Sequence, residues 1–99
     1  MKKLIVDEVN VLPVIPRNGL VAFVSFVVTN QIFIGNVALY SSPSTEDGYR
    51  LVYPDKILPN GKKTQCIYPI NKDAGEAIKK AVVEHYENVI EKLMRGKIG

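Results

Sequence analysis

The sequence predicts an α+β domain: an antiparallel sheet of about five strands followed by one long C-terminal helix, with two copies of the chain pairing through the sheet. Three observations predict it. Residues up to about 68 fall into short runs of β-branched and aromatic side chains punctuated by Pro, Gly and Asn. From Ala74 onward the apolar positions Ala74, Ile78, Ala81, Val82, Tyr86, Val89, Ile90 and Leu93 recur at helical spacing. The middle strands are apolar on both faces, whereas one helix can cover only one. Ninety-nine residues make a single domain, 1–99, able to bury one modest core.

Residues 5–12 alternate, with Val9 and Val11 opposed to Glu8 and Asn10, and predict a first strand stopped by Pro13 and Pro16. Arg17-Asn18-Gly19 predicts a turn. Leu20 to Thr29 reads as a second strand, Thr29-Asn30-Gln31 as a tight connection and Ile32 to Ser41 as a third strand. Residues 41–48, SSPSTEDG, have the composition of a mobile surface loop. Tyr49 to Tyr53 predicts a short fourth strand and Thr64 to Tyr68 a fifth. Asn71 is placed to cap the helix, Asp73 suits its first turn, and Lys92 and Arg95 suit its last before Gly96.

In the second strand Ala22, Val24, Phe26 and Val28 share one face, and Val21, Phe23 and Val27 the other. In the third, simple alternation opposes Ile32 and Ile34 to Phe33, Val37 and Leu39. An antiparallel sheet with one wet face should alternate more cleanly. A second copy of the chain is the simplest cover, so the expectation is a homodimer.

Composition narrows the function classes. The lone Cys66 leaves no internal disulfide framework and fits a reducing compartment, hence the cytoplasm. Lys2 and Lys3 precede an apolar stretch that Asp7 and Glu8 interrupt at once, so no secretory signal is expected. The apolar run Leu20 to Val28 is too short to span a bilayer, and no membrane role is expected. The net charge is +3 and unevenly spread. Residues 1–49 hold three basic and four acidic side chains, and residues 81–99 balance. Residues 50–80 hold seven basic (Arg50, Lys56, Lys62, Lys63, Lys72, Lys79, Lys80) against three acidic, a local excess of +4.

That excess centres on YPDKILPNGKKTQCIYPIN, residues 53–71, with three prolines and an Asn60-Gly61 pair. Pro54 and Pro59 fix φ and lower the entropy lost when the segment is held against a partner. Asn60-Gly61 permits a tight reversal, and Lys56, Lys62 and Lys63 flank it. A stiff reversal with three ammonium groups suits phosphate. Arg50 offers bidentate contact to a phosphate or base edge. Lys72, Lys79 and Lys80 lie at the margin of this surface. Tyr53 and Tyr68 could stack on an unpaired base, although packing at the sheet edge is the favoured reading. The plain alternative throughout is a solvated loop that carries lysines as exposed loops do.

The stretches GNVALY, GYRLVYPDKILPNG, IYPIN and AIKKAVVEHY, in this order and spacing, resemble the SpoVG family of bacterial septation regulators. The features fall on Gly48, Pro54, Lys56, Pro59-Asn60-Gly61, Pro69-Ile70-Asn71 and Tyr86, and the resemblance runs from about Val6 to Tyr86. It implies a small dimerising α+β fold and sequence-selective DNA binding, with RNA as a second ligand, in sporulation, septum formation and gene regulation. This chain departs from the family pattern at Ile57, where a basic residue is usual after Lys56, at Thr64 in place of an arginine, and at Thr29-Asn30 in place of an acidic pair. Lys62 and Lys63 add charge nearby.

His85 has no neighbouring cysteine or carboxylate cluster, and Cys66 reads as a small buried hydrophobe within the fifth strand. No glycine-rich phosphate loop and no nucleophile–base pairing is recognisable, so no enzyme activity, cofactor, metal or small-molecule substrate is expected. The alternative to nucleic-acid binding is a protein-interaction module in septation.

Overall fold

In a computed structural model, which describes residues 4–98, the chain forms a four-stranded antiparallel meander, a separate two-stranded ribbon and one helix. The meander comprises β1 (Val6–Arg17), β2 (Leu20–Val28), β3 (Ile32–Ser41) and β4 (Tyr49–Val52), in spatial order 1-2-3-4. The ribbon pairs β5 (Asp55–Ile57) with β6 (Lys63–Gln65), and α1 (Lys72–Ile98) closes the chain. The class is the α+β one that the sequence predicts. The expected fifth strand, Thr64 to Tyr68, is instead shorter, Lys63–Gln65, and pairs with Asp55–Ile57 across the Pro59-Asn60-Gly61 turn, not with β4.

Local chemistry explains the two hairpins. Asn18 and Gly19 both have positive φ (53° and 90°), the type I′ geometry that matches strand twist. Thr29 and Asn30 repeat it (51° and 61°), closed by the Gln31 N–H donating to the Val28 carbonyl at 3.1 Å. β1 runs through Pro13 and Pro16 rather than stopping there. It is an edge strand, so a missing N–H on its outer side breaks no ladder.

Two bulges reset the faces. Glu8 and Asn36 have positive φ (49° and 57°), and the register slips between Asp7 and Asn10 in β1 and between Val24 and Phe26 opposite β3. Each slip moves the following residues to the other face. Val6, Val9 and Val11 therefore all turn inward, and so do Ile34, Val37 and Leu39. The simple alternation that grouped Phe33 with Val37 and Leu39 fails here: Phe33 alone of the three is left on the outer face, 69% exposed.

The inner face of Ala22, Val24, Phe26, Val28, Val37 and Leu39 is closed by Ile78 and Val82 of α1. The Asn71 Oδ1 accepts from the Ala74 N–H at 2.8 Å, the N-cap that the sequence predicts. The helix continues past Gly96 to Ile98, two residues beyond the expected stop. Its apolar stripe outlasts the sheet, leaving Leu93 and Met94 exposed. The radius of gyration, 14.7 Å, exceeds the ~13 Å of a compact chain of this length, because helix end and ribbon both project.

Phe26 is fully buried at the centre of β2. Phe26→Ala is expected to cost about 3–5 kcal/mol in urea unfolding. A loss under about 1 kcal/mol would mean that the helix does not close this face.

Candidate nucleic-acid interface

The ribbon is built from its turn outward. Pro59 and Asn60 occupy the centre of a β-turn in which the Gly61 N–H donates to the Leu58 carbonyl at 2.8 Å. Gly61 then takes φ 84°, a left-handed conformation that suits glycine, so that β6 can return. The Leu58 N–H donates to the Lys62 carbonyl at 2.8 Å, and the Asn60 Oδ1 accepts from the Lys62 N–H at 3.0 Å. At the base, Tyr53 and Ile67 pack against the core and tie the ribbon down. Between turn and base, all six strand residues are exposed.

Lys56, Lys62 and Lys63 are brought together on this ribbon, with Lys56 opposite Thr64 and Lys63 opposite Ile57. None of the three is in an ion pair among the described residues. The other cations are placed differently. Arg50 lies on β4 with its guanidinium 5.1 Å from the Tyr40 ring centroid, a cation–π contact on the sheet face away from the helix. Lys72 faces Glu76 at 3.8 Å, and Lys80 is exposed. Lys79 binds Asp47 at 2.9 Å, which neutralises it. That hydrogen bond from Lys79 is the first reason that the Asp47 carboxyl titrates below its usual range.

The 42–48 segment that supplies Asp47 is closed on itself: the Ser42 N–H donates to the Gly48 carbonyl at 2.7 Å, and Thr45 Oγ1 donates to the Ser42 and Tyr49 carbonyls, each at 3.0 Å. It sets Tyr49 edge-on to Tyr86, with ring centroids 5.8 Å apart, and the Tyr49 hydroxyl reaches Glu87 Oε2 at 3.4 Å.

Sequence reasoning missed β5, and with it the placing of Thr64 and Gln65 on a two-stranded ribbon. The signal was present: Ile57 and Thr64, both β-formers, lie two residues before and three residues after the Pro59-Asn60-Gly61 reversal. Cys66 is exposed, not buried, since β6 ends at Gln65 and the ribbon has no packed face. His85 is exposed on the helix. Among the described residues no three His, Cys, Asp or Glu side chains group as metal ligands, and no helix is long and apolar enough to cross a membrane.

Of the two tyrosines flanking the ribbon, Tyr68 is half-exposed, whereas Tyr53 is packed, and burial pushes its phenol up to about 12 from 10.0. The fold holds the phenol neutral while the unfolded chain ionises it, so stability contributed below pH 10 falls as pH rises from 10 through about 12. Tyr53→Phe should flatten that loss in alkaline unfolding curves. The part that Tyr49 and Tyr86 contribute, also raised by burial, should remain. An unchanged alkaline profile in the variant would contradict the anchoring of the ribbon base.

No protein-family model matches this chain. Two curated proteins from Clostridium perfringens, one from strain ATCC 13124 and one from strain 13, each named "Putative septation protein SpoVG", are 24% identical to it over 84 residues. The match covers 85% of this chain and 90% of each of theirs. The chain is thus similar, over most of its length and nearly all of theirs, to the SpoVG septation proteins.

Proposed function

We propose that this chain is a sequence-selective nucleic-acid-binding regulator, binding DNA and also RNA, that works in the cytoplasm as a homodimer and acts by binding rather than by catalysis. The similarity to proteins named as septation proteins supports septum formation as the process, and the family resemblance of the sequence motifs adds sporulation and gene regulation to the reading. The observation that carries the reading is the ribbon, a stiff reversal that displays Lys56, Lys62 and Lys63 without a carboxylate partner among the described residues. Uncompensated ammonium groups on a braced loop attract a polyanion at little entropic cost.

The bare sheet face supports the homodimer. Leu12, Phe23 and Phe33 are 67%, 40% and 69% exposed there, around a shallow depression of about 450 Å³. Phe33 lies over Gly35, where an added Cβ would stand 2.9 Å from its ring. A second copy covering this face would bury the aromatic surface that the single helix cannot reach.

A second reading, a protein-interaction module in septation without nucleic-acid contact, draws on the exposed Leu93 and Met94 at the overhanging helix end.

Gel shift separates the two readings. Reversing Lys56, Lys62 and Lys63 to Glu is expected to abolish a shift on duplex DNA at low salt while leaving the dimer intact. A wild-type chain that shifts no DNA or RNA pool at low salt would overturn nucleic-acid binding in favour of the module. Phe33→Glu should halve the mass measured by light scattering at micromolar concentration, and a wild-type monomer under those conditions would overturn the dimer.

A further inference from the structure

The two faces of the ribbon are chemically different. Its register pairs Asp55 with Gln65, Lys56 with Thr64 and Ile57 with Lys63. Directly paired side chains share a face and successive ones alternate. One face therefore carries Asp55, Gln65, Ile57 and Lys63, and the other Lys56 and Thr64. A surface built only to neutralise phosphate would need cations alone. The first face holds a carboxylate acceptor, an amide with both donor and acceptor, an ammonium donor and an apolar group. These match what base edges present in the major groove: the cytosine amine, the adenine N6/N7 pair, the guanine O6/N7 pair and the thymine methyl.

None of these side chains has a hydrogen-bond or ion-pair partner among the described residues, although Asp55 and Lys63 stand diagonally across the ribbon. Size agrees as well. Two strands ~4.8 Å apart, with their side chains, make a ribbon that a major groove about 12 Å wide admits. An isolated hairpin is marginal in water, and this one is held by its proline-bounded turn and anchored base rather than by packing. Both faces are thereby left free for a ligand.

We infer that the β5–β6 ribbon is the sequence-reading element of the chain: it lies in the major groove of B-form duplex DNA with the Asp55/Ile57/Lys63/Gln65 face against base edges, and Gln65 reads adenine. Lys56 and Lys62 reach the flanking phosphates. The inference rests on the nucleic-acid reading above and adds the duplex, the groove and the reading residue. Duplex RNA is excluded as an equal ligand, because the major groove of the A-form helix is deep and too narrow for side chains to read.

The test is selection from a random duplex-DNA pool with the full-length chain, followed by affinity measurements on the selected site. Gln65→Ala is compared with Thr64→Ala, its neighbour on the opposite face. Both positions are exposed and uncharged, so neither change alters the core or the net charge. Gln65→Ala should relax the selected motif at one position and weaken the selected site about 5- to 100-fold, leaving affinity for unselected duplex unchanged. Thr64→Ala should keep the motif. An unchanged motif and affinity in Gln65→Ala overturns the inference, as does equal binding of a duplex RNA of the same sequence. Salt-sensitive binding that yields no motif overturns the inference and leaves nucleic-acid binding standing. No binding by the wild type overturns both.

Discussion

A sheet has two faces, and this chain supplies one helix. Ile78 and Val82 seal Phe26, Val37 and Leu39 on the inner side, each such side chain contributing roughly 1.5–3 kcal/mol by leaving water. The remaining architecture follows from how little is left over. The outer face keeps Phe23 and Phe33 uncovered, and of the nineteen residues between β4 and α1 only the Tyr53 and Ile67 side chains pack against the core. They are fixed in another way, by a proline-bounded turn, by cross-strand hydrogen bonds and by Tyr53 and Ile67 inserted at their base. Stiffness and exposure, which packing normally sets against each other, are combined in the ribbon.

Charge follows the same division. Near the body of the domain Lys79 finds a carboxylate in Asp47, and Lys72 in Glu76. The Lys79–Asp47 pair is partly exposed and contributes little to stability, but it removes a cation from the surface. On the ribbon the only acid is Asp55, and it stands on the face of Lys63 without engaging it. The ammonium groups of Lys56, Lys62 and Lys63 thus keep their full field. Arg50, resting on Tyr40, belongs to the open sheet face rather than to this cluster. A ligand held by the ribbon and a second copy covering the sheet face would meet different surfaces, so the two proposed contacts would not compete.

Much of this was legible in the residues. The helix, its Asn71 cap and the two turns at Asn18-Gly19 and Thr29-Asn30 followed from spacing and turn chemistry. The basic segment was recognisable as displayed rather than packed. The bulges at Glu8 and Asn36 were not legible: glutamate gives no hint of a positive φ, and Asn36, a type that tolerates it, sits inside a stretch that reads as one strand, yet each bulge inverts the faces beyond it. The prolines of β1 misled because the sequence does not say which strand lies at an edge. The ribbon was misread as a fifth strand of the sheet because pairing partners are a tertiary matter: nothing in the Thr64 to Tyr68 stretch says that Lys63–Gln65 pairs with Asp55–Ile57 and not with β4. The same error made Cys66 a core residue, and Lys79 was counted as a free cation because Asp47 is distant in sequence.

The most direct test of a cationic ribbon that meets a polyanion is the salt dependence of duplex binding, followed by fluorescence anisotropy between 50 and 200 mM salt (roughly the range where counterion release acts). Three ribbon lysines predict a slope of log affinity against log salt of about −3 per subunit, collapsing toward zero when Lys56, Lys62 and Lys63 are replaced by Gln. Binding that is insensitive to salt, or a slope that survives those replacements, would contradict it.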